Sequence, residues 1–371
     1  MTAPIGDAYD SLFLRAQQAA AEGIPVIGYV GTDTPVELID SVGALAYRLG
    51  STSNGMSDEA IELLGSAVDS PVLSILSQVL SGELDFMRGL LISRDCQASL
   101  RLFYVLRQLR ADGRRVPELH LVDLLHLPRE STARYNLAQV NKAAAVLAEW
   151  TGYAVTASDV RYAVERREIV RTALLEAQSR RRAEEPTITG TDTLRLHAIA
   201  QRSLPEDAVD LIRHSTSIEV PDGRFRLFVT GSGQDDDANY RVLEESGAHI
   251  VGEDHSWGDL ALDISPSVTV AADLPGLYDA LARARQGGGA SAQTSGLRDR
   301  AEYTRRAIAD SGGQAVLSLV RANDPAPDWD YPLIDAVPAA RMRGAAHAWT
   351  TEELGAVVET LRATTLEESM S

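Results

Sequence analysis

Residues 23–45 read GIPVIGYVGTDTPVELIDSVGAL, and the order of residue types in this stretch decides the fold class. The apolar run 24–30 has the length and continuity of a buried strand. Thr34, Pro35 and Glu37 then give a capping residue, a proline at the first helical position and an acid three residues after the cap, so a short helix is predicted to begin here and to close at Gly43. Strand, loop, helix and Gly-Ala is the opening of a parallel α/β unit. In open sheets of this kind the loops at the strand C-termini bind ligands.

A second stretch repeats the grammar. In RFRLFVTGSGQDDDANYRVLEESGAHIVGEDHSWGD, residues 225–229 read as a strand, residues 231–233 as a Gly-Ser-Gly turn, and Asp235, Asp236 and Asp237 as an acidic helix start suited to the positive end of the helix dipole. Gly247 ends that helix, and residues 249–252 form another strand. The predicted fold is therefore α/β, with two Rossmann-like parallel-sheet domains and an intervening helical segment. The division is residues 1–190 against 191–371. Between the two stretches, helices are predicted at 132–151, ending at Gly152, and at 158–182, beginning in a cap region at residues 156–159. The Arg-rich end of the second, SRRRAEEP at 179–186, reads as a solvated helix end. RQGGGASAQTSG at 285–296 is flexible by composition. A helix at 297–310, a strand at 314–320, a Pro/Asp-rich loop through Pro332, a last helix at 351–362 and a frayed tail complete the chain.

The bulk properties exclude several functions. A chain of 371 residues is too long for one ordinary core. Its 44% apolar and 24% charged residues are those of a soluble globular protein. A net charge of −18 argues against nucleic acid and anionic membrane as partners. Without a basic, then apolar, leader or a long apolar run, the expectation is a cytoplasmic protein with no membrane span. One cysteine, Cys96, excludes an internal disulfide and a zinc site built from several thiolates.

The motifs narrow the chemistry further. Asp236 occupies the third-glycine position that a dinucleotide fingerprint would need after Gly231 and Gly233, and no GxxxxGK[ST] loop occurs, so ATP hydrolysis by this chain is not expected. Helix capping explains the three consecutive aspartates more simply than a hard cation does. In EDHSWGD, residues 253–259, His255 beside Asp254 is a candidate for acid–base work because an unperturbed imidazole titrates near neutrality; a hydrogen-bonded loop histidine is the alternative. Cys96 falls in the first turn of a predicted helix, where the dipole lowers a thiol pKa. With Leu100 and Phe103 it also forms one apolar stripe, which favours a small core residue.

The order of four segments resembles the 2-hydroxyacyl-CoA dehydratase and benzoyl-CoA reductase family, in its D-component type of subunit. They are PVIGYVGTDTPVELIDSVGALAYRL at 25–49, with Pro35, Glu37, Leu38, Ile39 and Gly43 in the family's opening helix; SRDCQASLRLFYVL at 93–106; LAEWTGYAVTASDVRYAVERREIVRTALLE with PTITGTD at 147–192; and residues 226–259. The resemblance implies a lyase or reductase that works as a heterodimer of related subunits on acyl-CoA thioesters, with 4Fe–4S clusters each held by three cysteines. It also implies a separate ATP-dependent iron–sulfur activator that delivers an electron. Cys96 matches the first cluster cysteine and is the metal and cofactor candidate of this chain. The second falls where Ser256 stands, and the third near Ala322 to Pro325, where no thiol exists. The resemblance therefore implies a cluster-poor subunit that shapes the acyl-CoA site and docks a cluster-bearing paralogue, with Cys96 a retained small residue or a single shared ligand. Candidate substrate contacts are Thr32, Thr34, Arg94 and Asp95, with Arg94 pairing either with a ligand phosphate or carboxylate or with Asp95. Candidate catalytic residues are Ser232, Asp254 and His255. The alternatives are a non-redox binding or scaffold protein of a biosynthetic pathway that has lost the family chemistry, and a redox-independent lyase using His255.

Overall fold

The computed structural model describes residues 4–52, 54–214, 220, 223–267, 273–335, 337–344 and 349–370. Among these, eight strands form two four-stranded, all-parallel sheets. The first contains β1 (Val26–Val30), β2 (Leu45–Arg48), β3 (Gly89–Ser93) and β4 (Glu118–Val122), in the order β2-β1-β3-β4. The second contains β5 (Phe225–Gly231), β6 (Ala248–Glu253), β7 (Ala315–Arg321) and β8 (Ala339–Gly344), in the order β6-β5-β7-β8. The two orders are the same, so the repeated grammar of the sequence is a repeated topology. In each sheet the chain leaves the first strand in one direction and returns on its other side. The resulting switch points, between β1 and β3 and between β5 and β7, are where open α/β sheets receive ligands.

Period-two alternation sorts the first sheet into two cores. Val26, Val30, Leu45, Tyr47, Leu90 and Ile92 face the helices Leu12–Ala21, Asp58–Leu64, Ser70–Leu80 and Gln97–Ala111. Ile27, Tyr29, Ala44, Ala46 and Leu91 face Val36–Ser41, Glu130–Thr151 and the late helix Leu274–Gly287. That last helix leaves the second half of the sequence to place Leu277, Leu281 and Ala282 in the core of the first sheet. Helix Gly190–Arg202 ties the halves together: Glu244 accepts from the amides of Gly190 and Thr191 at its N-terminus, while Arg202 Nε at its other end donates to the Arg48 carbonyl.

Several predicted boundaries hold. Gly152 closes Glu130–Thr151 in the left-handed conformation, and Thr156 and Asp159 form a reciprocal capping box at Ala157–Arg182. Others are corrected. Pro35 occupies the N-cap of Val36–Ser41, and Thr34 instead shares a hydrogen bond with Ser93 Oγ at 3.2 Å. The acidic run precedes its helix, Ala238–Glu245: Asp237 pairs with Arg195, and Asp235 accepts from the Ser51 amide of the other half at 2.6 Å. The Arg-rich helix end is not solvated throughout, because Arg181 is fully buried. Residues 288–296 are tied down by Arg300, which donates to the Ala290 carbonyl, and by Gln293, which donates to Asp324. The last helix runs on to Met370. No described helix is long and apolar enough to cross a membrane.

Candidate functional site

The C-terminal ends of both sheets converge on one cleft. A cavity of about 140 Å³ is bordered by Gly31, Arg48 and Cys96 from the first half and by Gly231, His255, Ser256 and Asp324 from the second. Beside it lie a second cavity of about 150 Å³ under Thr32 and Thr34 and an open groove of about 1050 Å³ that reaches Arg94, Asp95 and Cys96. The structure thus brings Thr32, Thr34, Arg94, Asp95, Cys96, Asp254 and His255 to connected spaces. Ser232 is buried just beneath.

The first half of the site hangs on Gly31. Its φ of +86° is one that side chains rarely adopt, and a Cβ there would lie 2.4 Å from Asp95 Oδ2. The turn lets the Thr32 amide donate to that oxygen at 2.9 Å. Burial, reinforced by the charge of Asp33, raises the Asp95 carboxyl to about 6 despite this bond. His126 Nε2 meets Asp33 Oδ2 at 3.1 Å. Burial opposes charge on His126, but the bond to Asp33, the two nearby carboxylates and a hydrogen bond to the Arg285 backbone outweigh it and raise its pKa. Arg94 does not pair with Asp95; it is largely exposed and donates to Asp123 at 3.0 Å.

Cys96 differs from both sequence expectations. It is the N-cap of Gln97–Ala111, where Sγ accepts from the Ser99 amide at 3.4 Å. The core face of that helix is Ser99, Leu102, Leu106 and Leu109, and Cys96 itself is half-buried on the cleft. Burial first, then the Asp95 charge, pushes the thiol up to about 11, overriding the helix dipole.

The second half is wired differently. Gly231 also has a positive φ, +106°, and a Cβ there would meet the Leu319 carbonyl oxygen at 2.4 Å. Ser232 Oγ donates to Asp324 at 2.7 Å and accepts from the Arg321 amide, and Arg321 itself pairs with Asp69 of the first half. Asp254 is fully buried between Arg300 at 2.8 Å and the Thr304 hydroxyl at 2.5 Å. His255 Nε2 and the Tyr240 hydroxyl are 3.0 Å apart. Burial, with the charges of His197, Arg48 and Arg300, lowers the His255 pKa to about 3, so the expectation of titration near neutrality is overturned and the imidazole is neutral. Ser256 Oγ and its carbonyl both accept from Arg48, whose guanidinium also lies 4.0 Å over the Trp257 ring.

Two donor sets bear on metals and clusters. Cys96, Ser256 and Asp324 border the same cavity, as the resemblance requires of three cluster positions. Only one is a thiol, however; the Ser256 hydroxyl faces a guanidinium, and Asp324 is engaged by Ser232 and Gln293. This is not the thiolate set that holds a 4Fe–4S cluster. His197, Glu253 and Asp259 offer three ligand atoms within 4.8 Å of one another. There Arg181 donates to both carboxylates, at 2.6 and 2.5 Å, and supplies the positive charge a cation would bring.

Sequence reading missed Asp33, Arg48, His126, Arg285 and Arg300. Asp33 stands between two nominated threonines, Arg48 ends β2 and His126 follows β4, so the strand-end rule applied to every strand would have found them. Arg285 and Arg300 arrive by tertiary packing alone.

No curated protein matches the chain. The family model described as 2-hydroxyglutaryl-CoA dehydratase, D-component, matches residues 32–334, which begin just after β1 and include the ends of β2 to β7. The chain belongs to the 2-hydroxyglutaryl-CoA dehydratase D-component family, a family of components of a multisubunit enzyme.

Proposed function

We propose that this chain is the cluster-poor subunit of a 2-hydroxyacyl-CoA dehydratase-like complex. It shapes the acyl-thioester site and docks a paralogous subunit that holds the iron–sulfur cluster and receives the electron from an ATP-dependent activator. The observation that carries the reading is the contrast inside the cleft. The three positions suited to a cluster retain one thiol, raised to about 11, and a serine bound to Arg48, whereas the adjoining cavity and groove offer a place for an acyl group and its carrier.

In this reading Thr32 and Thr34 contact the acyl group, and Arg94, at the mouth of the groove, meets the charged carrier. Asp95 sets the electrostatics of the neck between groove and cavities. His255 offers its neutral Nδ1, which is buried without a hydrogen-bond partner, to the cavity beside Cys96. Asp254 and Ser232, held by Arg300 and Asp324, position that wall.

Anaerobic purification tests the proposal, with iron and sulfide assays on the chain alone and after co-expression with a three-cysteine paralogue. The expected result is no iron alone and a stable brown heterodimer. About four irons in the isolated chain would contradict it. No iron and no partner would favour the non-redox binding or scaffold reading instead.

A further inference from the structure

The cavity under Thr32 and Thr34 has two unlike walls. One carries Val164, Leu174, Leu260 and Ile264, beside Arg167, Glu168 and Arg171, which also line the cavity; the other carries Arg285, His126 and the two threonines. Arg285, in the last turn of Leu274–Gly287, is only 4% exposed. Its Nη2 donates to the buried carboxylate of Glu37, which balances its charge. Its Nε and Nη1 are buried and have no hydrogen-bond partner. A buried N–H of a guanidinium left without an acceptor is costly, and natural structures rarely leave one so unless a ligand or water completes it. The ion pair with Glu37 leaves little net charge to offset, so the acceptor that fits best is an oxygen bearing partial or developing negative charge, which a fixed donor stabilises.

We propose that Arg285 forms a buried acyl-oxygen subsite, in which Nη1–H donates to an sp2 oxygen of the ligand while its hydrocarbon lies along the wall of Val164, Leu174, Leu260 and Ile264. The inference deepens the acyl-thioester reading and rests on it. Entry runs from the open groove past His126 and Thr294, which border both spaces. The same oxygen chemistry belongs to a thioester carbonyl or to a free carboxylate, and the two sources separate by experiment.

Calorimetric titration of the full-length chain with butyryl-CoA, its thioether analogue S-butyl-CoA and sodium butyrate makes the test. If the oxygen is the thioester carbonyl, the wild-type chain binds butyryl-CoA at least about tenfold more tightly than S-butyl-CoA. Arg285→Lys, which keeps the charge facing Glu37 but loses the planar Nη1 donor, abolishes that difference. If the oxygen is a carboxylate, butyrate binding is lost in Arg285→Lys and the CoA compounds bind weakly or not at all; the subsite then stands and the thioester reading falls. Equal binding by wild type and Arg285→Lys overturns the subsite and leaves the subunit reading intact, the donors then being served by water. Absence of binding by any probe also overturns it, while the heterodimer assay decides the subunit reading separately. Should Arg285→Lys fail to fold, the neutral pair Glu37→Gln with Arg285→Gln must show the same loss.

Discussion

The two halves of the molecule share a strand order and a glycine turn at the end of their first strand, yet their ligand ends have opposite characters. At the second half every nominated side chain except His255 is locked by a charged neighbour: Ser232 by Asp324, Asp254 by Arg300, and the loop after β6 by Arg181 through Glu253 and Asp259. At the first half Thr32, Asp33, Asp95 and His126 form a loose polar rim over a cavity, with Arg285 offering spare donors into it. On the proposed reading, one topology serves once as an anchor and once as a receptor. The difference lies in where buried arginines find their carboxylates.

Removing the anchor has the largest expected effect. Arg181→Met leaves Glu253 and Asp259 buried without their shared guanidinium, and a loss of about 3–5 kcal/mol is expected in urea unfolding. A loss under ~1 kcal/mol would mean that the second half is not held by this network.

The paired glycines sharpen the comparison. Gly31→Ala and Gly231→Ala each force a left-handed residue at roughly 1–2 kcal/mol. At Gly31 the new Cβ meets the Asp95 carboxylate at 2.4 Å and the Ser93 Cβ at 2.7 Å, whereas at Gly231 its three nearest atoms are all backbone of Leu319. Gly231→Ala is therefore expected to cost about 3 kcal/mol in total and Gly31→Ala somewhat less. Equal losses on chemical denaturation would show that the two turns are equally rigid.

His255 gives a pH-dependent contrast. The unfolded imidazole takes up a proton near its ordinary pKa of 6.5, whereas the folded one resists until about 3. Stability from this group is therefore full above pH 6.5 and is lost as pH falls toward 3. His255→Gln should flatten that part of the stability profile, and an unchanged slope would place the residue in a wetter site than the cavity wall.

The smallest effect belongs to Cys96. Its sulfur is a weak cap for Gln97–Ala111, and Ser accepts better at that position, so Cys96→Ser should change stability by no more than a few tenths of a kcal/mol. Alkylation of Cys96 by iodoacetamide should stay slow at pH 7 and accelerate only toward pH 11. Fast labelling at pH 7 would reveal a thiolate and revive the case for a metal ligand.

The strands with continuous apolar runs were legible in the sequence, as were the capping box at Thr156 and the closing glycines, because each is decided by neighbours in the chain. Strand β8 was not: AARMRG lies at a sheet edge, half-exposed along its length, and lacks a buried run. The Cys96 stripe failed by the phase of a single helix, since Ser99, Leu102, Leu106 and Leu109 form an equally regular set. Arg181 read as solvated because an arginine run carries no sign of which member turns inward. Arg285 meets Glu37 across 248 positions of sequence, a pairing that only the packing of Leu274–Gly287 onto the first sheet creates.

Hydrogen–deuterium exchange of the chain with and without butyryl-CoA tests the division between receptor and anchor most directly. Protection is predicted at residues 31–34, 94–96, 124–128 and 285–294, with no change at 225–230 and 248–253. Protection confined to the second set would place the ligand on the half described here as the anchor and contradict the account.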